Sequence, residues 1–406
     1  MDMWITEPCR LGPSAGWPGF TARTLVAAFA FPGAAFAAVQ TPPQTPPQTV
    51  QPVNAPAKGL QFQTGDYAWK FGGYIKVDVI HDFDPIGSTD TFDTRTIPTS
   101  GVSADGDSTR IHARQTRFNV DLRGPTSIGP FRAFAEGDFF SDQNGFRMRH
   151  AYGVVGEVLG GQTWSTFMDE DGMPETLDFE SPTAFPMVRQ AQVRWTHEVA
   201  DGKSVALAIE DPDSDVIPPA GVPGTTKEPL PDLNARLRWD HSRGHVQLGL
   251  FSGMARFDPD AGSPDDVWLW GFNFSTKLET TGKDNAIVQV TYGDGVGRYR
   301  GGNTAAPDAS GDLEAIPIVG VMGSYQHHWS EEYRSTIGYS WGDADVPDGA
   351  PPATTNEMVT YGWVNWIWQF CDRAWAGIEW LHGSRETFDD ANGYADRLQI
   401  ALRFDL

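Results

Sequence analysis

The chain has 406 residues, with 53 acidic against 30 basic side chains and a formal net charge of -23. This balance excludes a nucleic-acid-binding protein, because contacts to phosphates need clustered lysine and arginine. The only two cysteines, Cys9 and Cys371, exclude a disulfide framework and a cysteine-based zinc site.

The first element in the chain is an apolar run, LVAAFAFPGAAFAAV, at residues 25–39. Arg10 and Arg23 precede the run, and small residues surround Ala35 and Ala37. The run is too short for a membrane-spanning helix, whereas its flanks are typical of an export signal. We therefore predict a signal peptide over residues 1–37; the alternative is an ordinary apolar helix.

A proline-rich segment follows, TPPQTPPQTVQPVNAPA, at residues 41–57. Its six prolines prevent regular pairing in a helix or a sheet. The sequence predicts an extended periplasmic tether, rich in Pro and Gln, over residues 38–66.

From residue 67 to the C-terminus, short segments alternate between apolar and polar residues and are separated by Gly, Pro, Asp and Asn. Val364, Trp366, Trp368 and Phe370 share one parity, for example. We count about sixteen such segments, and each has the roughly 9 to 11 residues that a tilted strand needs to cross a bilayer.

The connections between these segments distinguish a membrane barrel from a soluble β-sandwich. Short turns, such as Asp201-Gly202 and Gly282-Lys283, alternate with long acidic stretches, such as 84–108 and 211–232. This alternation is expected when successive hairpins open on opposite sides of a membrane, whereas a sandwich of sixteen strands would need two domains. We therefore predict an all-β fold, a transmembrane antiparallel β-barrel of about 16 strands, over residues 67–406.

The final ten residues, RLQIALRFDL, are apolar at every second position up to Leu406. Such a terminal strand resembles the insertion signal of outer-membrane barrels, although those usually end on Phe and here Phe404 precedes Leu406. The alternative is an ordinary edge strand, which soluble proteins rarely leave uncovered.

If the apolar parity faces lipid, the other parity faces a lumen that is rich in bases. In FRMRHAYGVV, residues 146–155, Phe146, Met148 and Tyr152 would face outward, and Arg147 and Arg149 inward. The predicted pore-lining bases are Lys76, Arg117, Arg123, Arg132, Arg147, Arg149, Arg194, Arg236, Arg238, Arg397 and Arg403. Such a wall would concentrate anions, because arginine binds two oxygens of a carboxylate or phosphate. The alternative is that these arginines pair with lumen carboxylates and only support the wall.

One long connection, STFMDEDGMPETLDFESPTAFPM at residues 165–187, mixes apolar and acidic side chains. This mixture predicts a constriction loop folded into the lumen, and an exposed acidic lid is the alternative. Its carboxylates would oppose the arginines, which leaves the sign of ion selectivity open. They are Asp169, Glu170, Asp171, Glu175, Asp178 and Glu180.

The outward parity of residues 131–139 contains Ala133, Ala135 and Gly137. Small residues suggest close packing against another subunit rather than lipid. We therefore predict a homotrimer.

The chain has no Gly-x-Ser-x-Gly or His-Glu-x-x-His motif, and its glycine-rich GDGVGRYRGG, residues 293–302, lacks Gly-Lys-Ser/Thr. DPDSD, residues 211–215, spaces carboxylates as calcium loops do, but it lacks the Gly and the distal Glu of an EF-hand. The adjacent His327 and His328 point to opposite faces of a strand. We predict no enzyme, no cofactor and no metal site.

Four stretches resemble the DcaP-like porins of Gram-negative outer membranes. They are GYIKVDVIHDFD (73–84), RQTRFNVDLRGPT (114–126), GDFFSDQNGFRMRHAYG (137–153) and GGQTWSTFMDEDGMPETLDFESP (160–182). The resemblance implies a trimeric, 16-stranded channel that favours small anions such as dicarboxylates, with GQTWSTFMD leading into the constriction loop. Several members of the family carry an N-terminal coiled coil, which the proline-rich tether cannot form.

The sequence thus favours a passive outer-membrane porin for small hydrophilic solutes, in contact with lipid and lipopolysaccharide. The alternatives are a barrel with a mainly structural role, an outer-membrane barrel enzyme, for which no nucleophile with a base is seen, and a secreted glycan-binding protein. The last is suggested by 15 tryptophans. Many of these lie on the apolar parity, as membrane-interface anchors would.

Overall fold

The computed structural model describes residues 60–100 and 106–406, and their regular structure is almost entirely β-strand. The strands are β1 (Leu60–Thr64), β2 (Tyr67–Asp82), β3 (Ser108–His112), β4 (Arg117–Thr126), β5 (Gly129–Asp138), β6 (Arg147–Val155), β7 (Val158–Trp164), β8 (Arg189–Ala200), β9 (Lys203–Glu210), β10 (Gly224–Lys227), β11 (Asp232–His241), β12 (Gly244–Pro259), β13 (Asp265–Glu279), β14 (Asn285–Asp294), β15 (Ala305–Pro307), β16 (Leu313–Ala315), β17 (Pro317–His328), β18 (Tyr333–Ala344), β19 (Asn356–Cys371), β20 (Ala374–Thr387) and β21 (Asn392–Asp405). Three short 3-10 helices, Thr94–Thr96, Asp142–Asn144 and Val296–Arg300, lie in the connections. Among the described residues, no helix has both the length and the hydropathy that a membrane span requires.

Sixteen strands close into one antiparallel barrel. Hydrogen-bonded neighbours follow the order β2, β4, β5, β6, β7, β8, β9, β11, β12, β13, β14, β17, β18, β19, β20, β21 and back to β2. At the closing seam between β2 and β21, Asp82 lies opposite Arg397 and Lys76 lies opposite Arg403. Closure leaves the wall without a free sheet edge, as lipid requires, because lipid offers no partners for backbone N–H and C=O groups. The predicted fold class is confirmed.

Short turns and long connections occupy opposite ends of this barrel. Residues 127–128, 156–157, 201–202, 242–243 and 372–373 link strands at the short-turn end, where β2 begins and β21 ends. The described parts of the connection 83–116, together with the connections 165–188, 211–231, 295–316 and 345–355, lie at the other end, the long-loop end. The wall strands between them run to 16 residues, as in β2 and β12.

The barrel is apolar outside and polar inside. On β13, Trp268 and Phe274 are 54% and 38% exposed, whereas Asn273 and Ser275, on either side of Phe274, are fully buried. A soluble sheet would bury the aromatic parity, so the reversed pattern indicates that the outer face contacts lipid. Exposed tryptophans on β19 and β20, including Trp366 and Trp380, belong to this outer face.

A β-bulge interrupts the alternation in β6. Glu136 of β5 lies opposite His150, and the next residue, Gly137, lies opposite Met148. Arg149 is therefore an extra residue in β6. Because one inserted residue exchanges the two faces of a strand, every side chain after it faces the side opposite to that given by simple parity.

Tyr152 shows the consequence. The sequence places Tyr152 on the lipid side, but its ring faces the lumen beneath the guanidinium of Arg132, at 5.5 Å. That prediction is wrong, because the bulge at Arg149 reverses the parity. Phe146 and Met148 precede the bulge and are 62% and 54% exposed, as expected for outward residues.

The N-terminal predictions lie largely outside the described residues. The predicted signal peptide, residues 1–37, and residues 38–59 of the predicted tether are not among them. The last part of the predicted tether forms strand β1, which pairs with the start of β2. Phe62 of β1 stacks on Trp69 and Phe71, with ring centroids 6.0 and 5.9 Å apart, so the proline-rich pattern does not extend into this hairpin.

Several long connections fold into the lumen and fill part of it. The connection 165–188 contains the predicted constriction loop and keeps that name below. Its Met168 and Phe185 are buried with Phe92 and Ile97 of the connection 83–116. They pack on inward side chains of the far wall, which include Ile287, Met322, Trp363 and Leu381. This packing fills the side of the lumen next to β14 and β17 to β21, and the inward arginines of β4 to β11 line the other side.

Candidate solute pathway and constriction loop

The constriction loop is tied to the barrel wall through its own carboxylates, and the first of these is Asp169. This fully buried side chain lies 2.6 Å from Nε2 of His245 and accepts a 2.6 Å hydrogen bond from Ser275. Arg238 approaches its other oxygen at 3.4 Å. Burial alone would raise the pKa of Asp169, but the two hydrogen bonds and the neighbouring charges hold that pKa below its usual value.

Glu175 ties the loop to the opposite wall. Arg334 of β18 donates to both of its oxygens, at 2.8 and 2.7 Å, in the bidentate geometry typical of arginine and carboxylate. Gln326 of β17 donates to the same carboxylate at 2.6 Å.

Glu379 and Lys76 of the barrel wall hold the middle of the constriction loop through hydrogen bonds. The Glu379 carboxylate of β20, fully buried, accepts hydrogen bonds from the backbone N–H groups of Leu177 and Asp178, at 2.8 to 2.9 Å. The ammonium of Lys76 donates to the carbonyl of Leu177 at 2.6 Å and lies 2.8 Å from Asp78. Lys76 is only 4% exposed. The prediction that Lys76 lines the pore is wrong, because its charge holds the loop.

Arg397 of β21 has the same role. Its guanidinium donates to Asp82 at 2.5 and 3.1 Å, lies 3.4 Å from Asp178 of the loop, and donates to the carbonyl of Ser88 at 3.1 Å. The side chain is fully buried. Arg397 points inward as predicted, but its prediction as a pore-lining base is wrong, because the loops cover it.

Glu180, the last acid of the loop, meets two arginines of other connections. Arg300 donates to its carboxylate at 2.9 Å and Arg95 at 3.2 Å. Four of the six predicted loop acids, Asp169, Glu175, Asp178 and Glu180, therefore fasten the loop. Asp171 is 2.7 Å from Arg238. Glu170 is exposed, and its carboxylate makes no hydrogen bond or ion pair with any described residue.

At the long-loop end of the basic wall, the predicted arginines are paired. Arg147 donates to Asp138 at 2.8 Å, and Arg149 lies 2.9 Å from Asp138 and 3.1 Å from Glu136. Both guanidiniums also lie over the ring of Phe179, at 5.3 and 5.5 Å. For these two arginines the structure shows the alternative, an internal salt bridge.

Most other predicted bases also have a carboxylate partner. Arg117 lies 3.5 Å from Glu136. Arg123 and Arg132 share Asp121, at 2.8 and 3.0 Å. Near the short-turn end, Arg238 is 2.8 Å from Asp240, and Arg403 is 2.8 Å from Asp405. These pairs neutralise much of the wall's positive charge.

Arg194 of β8 and Arg236 of β11 differ from the rest. Neither forms an ion pair with a described residue, and the Nε atom of each is buried without a hydrogen-bond partner there. They face Ala208 and Ala206 of the intervening strand β9, which are 5% and 1% exposed. Two strand spacings of about 4.8 Å place the two backbones about 10 Å apart. Arg194 opens into a pocket of about 520 Å³ that is also lined by residues of the short turns.

Arg189, the first residue of β8, is a further base that faces the lumen, although the alternation of the strand would place it on the outer face. It lies opposite Trp164, and the parity of β7 and β8 would turn both side chains outward. Both strands end here in the constriction loop, and Trp164 is buried inside with the Arg189 guanidinium 4.3 Å from its ring. No described carboxylate pairs with Arg189, which lies within electrostatic range of Arg149 and Arg147.

Among residues 60–100 and 106–406, no three His, Cys, Asp or Glu side chains converge as a metal site would require. His327 and His328 share one acceptor instead. Nδ1 of His327 lies 2.7 Å from Asp284, and the backbone N–H of His328 donates to the same carboxylate at 2.7 Å. Backbone and side-chain hydrogen bonds from these residues lower the pKa of Asp284.

A family model described as DcaP outer membrane protein matches residues 59–406. None of the curated proteins compared with the chain matches it significantly. The crystal structure of the outer membrane channel DcaP of Acinetobacter baumannii has a TM-score of 0.75 at 23% identity and covers 86% of this chain and 100% of its own.

Two further solved structures share the barrel. An anion-selective porin from Comamonas acidovorans has a TM-score of 0.56 at 11% identity, with 84% of this chain and 100% of that chain covered. The trimer form of OmpT, an outer membrane protein of Vibrio cholerae, has a TM-score of 0.54 at 12% identity, with coverages of 84% and 99%. At these identities the likeness concerns the fold.

Proposed function

Because the chain belongs to the DcaP outer membrane protein family, we propose that it is a passive channel that favours small anions, including dicarboxylates. The observation that carries the proposal is the pair of unpaired arginines, Arg194 and Arg236, on either side of two inward alanines. An arginine fork binds two carboxylate oxygens, and two such forks on strands about 10 Å apart, offset by two residues, can engage both ends of a short diacid.

The acidic loop does not cancel this preference. Asp169, Glu175, Asp178 and Glu180 are bound to bases or backbone donors, so their charges are neutralised where they stand. The neighbouring anion-selective porin from Comamonas acidovorans shows that the fold can carry anion preference. The unpaired guanidiniums of Arg194 and Arg236 therefore supply a local positive field in the lumen, which concentrates anions.

Uptake into proteoliposomes tests the proposal with solutes of equal length and different charge. We expect succinate to enter faster than its neutral diamide and the diamide faster than 1,4-diaminobutane. The physical reason is that the unpaired arginines attract the dianion and repel the dication. Equal rates for the three solutes, or fastest entry of the diamine, would contradict anion preference.

We also propose that the channel is a homotrimer, assembled through the outward face of β5 to β7. The bulge at Arg149 adds Ala151 and Gly153 to this face, next to Ala133, Ala135 and Gly160. A Cβ atom added at Gly160 would meet no atom within 4 Å. Such a flat surface suits close packing of barrel walls better than contact with flexible lipid chains. Vibrio cholerae OmpT, which shares the fold, has a trimer form.

Gly160→Trp is expected to convert the trimer to monomers in mild detergent, because an indole on this face prevents close approach of the walls. Mass photometry or light scattering measures the assembly state. Gly323→Trp is the matched control, since Gly323 also faces outward into open space, on strand β17, about half the barrel's circumference away. A trimer that survives Gly160→Trp would place the interface elsewhere.

Residues 1–37 are proposed to direct export to the periplasm, from which the barrel inserts into the outer membrane in contact with lipid and lipopolysaccharide. N-terminal sequencing of the protein from outer-membrane preparations is expected to begin at Ala38. A mature protein that retains LVAAFAFPGAAFAAV would disprove the cleavage site.

A further inference from the structure

Glu170 has a fixed position and a free side chain. The residue before it, Asp169, is held by His245 and Ser275, each at 2.6 Å. The residue after it, Asp171, is 2.7 Å from Arg238. The backbone of Glu170 is therefore fixed between two anchored neighbours. Its exposed carboxylate has no hydrogen-bond or ion-pair partner among the described residues.

The strand register places bases on the wall that Glu170 faces. Arg132 of β5 and Arg194 of β8 lie in one row across the inner wall, with Val154 and Leu159 between them. Arg132 is already bound to Asp121 through two hydrogen bonds of 3.0 Å. Arg194 has no partner among the described residues. Glu170 lies within electrostatic range of both Arg194 and Arg132, and of these two bases only Arg194 lacks a partner among the described residues.

We propose that Glu170 is a tethered counter-anion, which opposes the field of Arg194 in the lumen and so limits the anion selectivity of the channel. The proposal rests on the proposed function, since it assigns a residue that sets the strength of that selectivity. A carboxylate held near the unpaired guanidinium lowers the positive potential there, so a permeating anion is attracted less strongly.

Protonation of Glu170 would remove this opposing charge. Four charged groups act on its carboxylate: Asp171 of the same loop, Arg194 of β8, and Arg132 and Glu136 of β5. Partial desolvation inside the lumen, and then the charge of Asp171, raise the pKa of Glu170 above its usual value although its side chain is solvent-exposed, while Arg194 and Arg132 oppose this rise. A raised pKa means that the carboxyl becomes neutral at a higher pH than an ordinary glutamate, so anion selectivity increases as the pH falls.

Reversal potentials in planar bilayers under a KCl gradient test the proposal, because neither K⁺ nor Cl⁻ titrates. Glu170→Gln is expected to raise the ratio of chloride to potassium permeability by at least about fivefold, since one charge about 4 Å away changes the partitioning of each monovalent ion by about that factor at the dielectric constant of water. Glu170→Asp keeps the charge and should stay near the wild type. In the wild type the ratio should rise as the pH falls from neutral towards the range in which carboxyl groups protonate, and Glu170→Gln should lose most of this dependence.

Glu175→Gln is the control for net charge, since it removes the same charge from the same loop on the side held by Arg334. An equal rise in Glu175→Gln, or no rise in Glu170→Gln, would overturn the role of Glu170. A wild-type channel that prefers potassium would instead refute the proposed anion preference, so the two failures are distinguishable. The two Glu170 variants should keep the heat-modifiable mobility of the folded barrel, because the Glu170 side chain makes no hydrogen bond or ion pair with a described residue.

Discussion

Arg397→Ala is expected to destabilise the folded barrel by about 3 to 5 kcal/mol, the cost of removing one partner of a buried ion pair. The fully buried guanidinium neutralises Asp82 of the wall and Asp178 of the constriction loop, at 2.5 and 3.4 Å. Without it, two buried carboxylates face each other with no base between them. The temperature at which the heat-modifiable gel mobility is lost should fall clearly below that of the wild type.

Arg403→Ala on the same strand is the matched control. The Arg403 side chain is 32% exposed and its partner Asp405 lies near the short-turn end, so we expect a loss of at most about 1 kcal/mol. Similar melting shifts in the two variants would show that Arg397 does not hold the loop. Arg397→Ala also frees the segment around Asp178. Movement of this segment within the pore would increase the noise of the open-channel current.

Simultaneous replacement of Arg194 and Arg236 by alanine is expected to lower the ratio of chloride to potassium permeability by about an order of magnitude or more, since each charge contributes about fivefold. No carboxylate partner among the described residues compensates these two bases, so their removal leaves the unpaired carboxylate of Glu170 to set the local field. The lumen near β8 and β11 then becomes acidic, and the ratio of chloride to potassium permeability should approach one or fall below it.

Replacement of both arginines by lysine separates charge from geometry. Lysine keeps the positive field but lacks the planar fork that binds two oxygens. The double lysine variant should therefore retain its preference for chloride. A dicarboxylate should block the current of this variant less strongly than it blocks the wild-type current. Loss of both properties would mean that shape, not charge, governs this part of the pore.

The alternation of apolar and polar residues was enough to predict the barrel, because lipid outside and water inside impose a period of two on every wall strand. It failed at Tyr152, where the inserted Arg149 reverses the faces. A bulge depends on the register with β5, and the sequence of β6 alone carries no sign of that register. Arg189 was missed for a related reason, since the strand bends inward where it joins the constriction loop.

The constriction loop was predicted from its mixture of apolar and acidic residues, but its contacts were not. Glu175 meets Arg334, 159 residues away, and Asp178 meets Arg397, 219 residues away. Such partners follow from the curvature of the closed barrel rather than from local spacing. In sequence, Lys76 and Arg397 therefore look like pore-lining bases, although both are buried and hold the loop. The bases without a carboxylate partner can be identified only once all the ion pairs of the lumen are known.

The most direct measurement is the reversal potential of the wild-type channel in a planar bilayer under a KCl gradient at neutral pH. The unpaired arginines predict a reversal potential displaced towards the equilibrium potential of chloride. A reversal potential displaced towards that of potassium would contradict the central claim that the lumen of this channel favours anions.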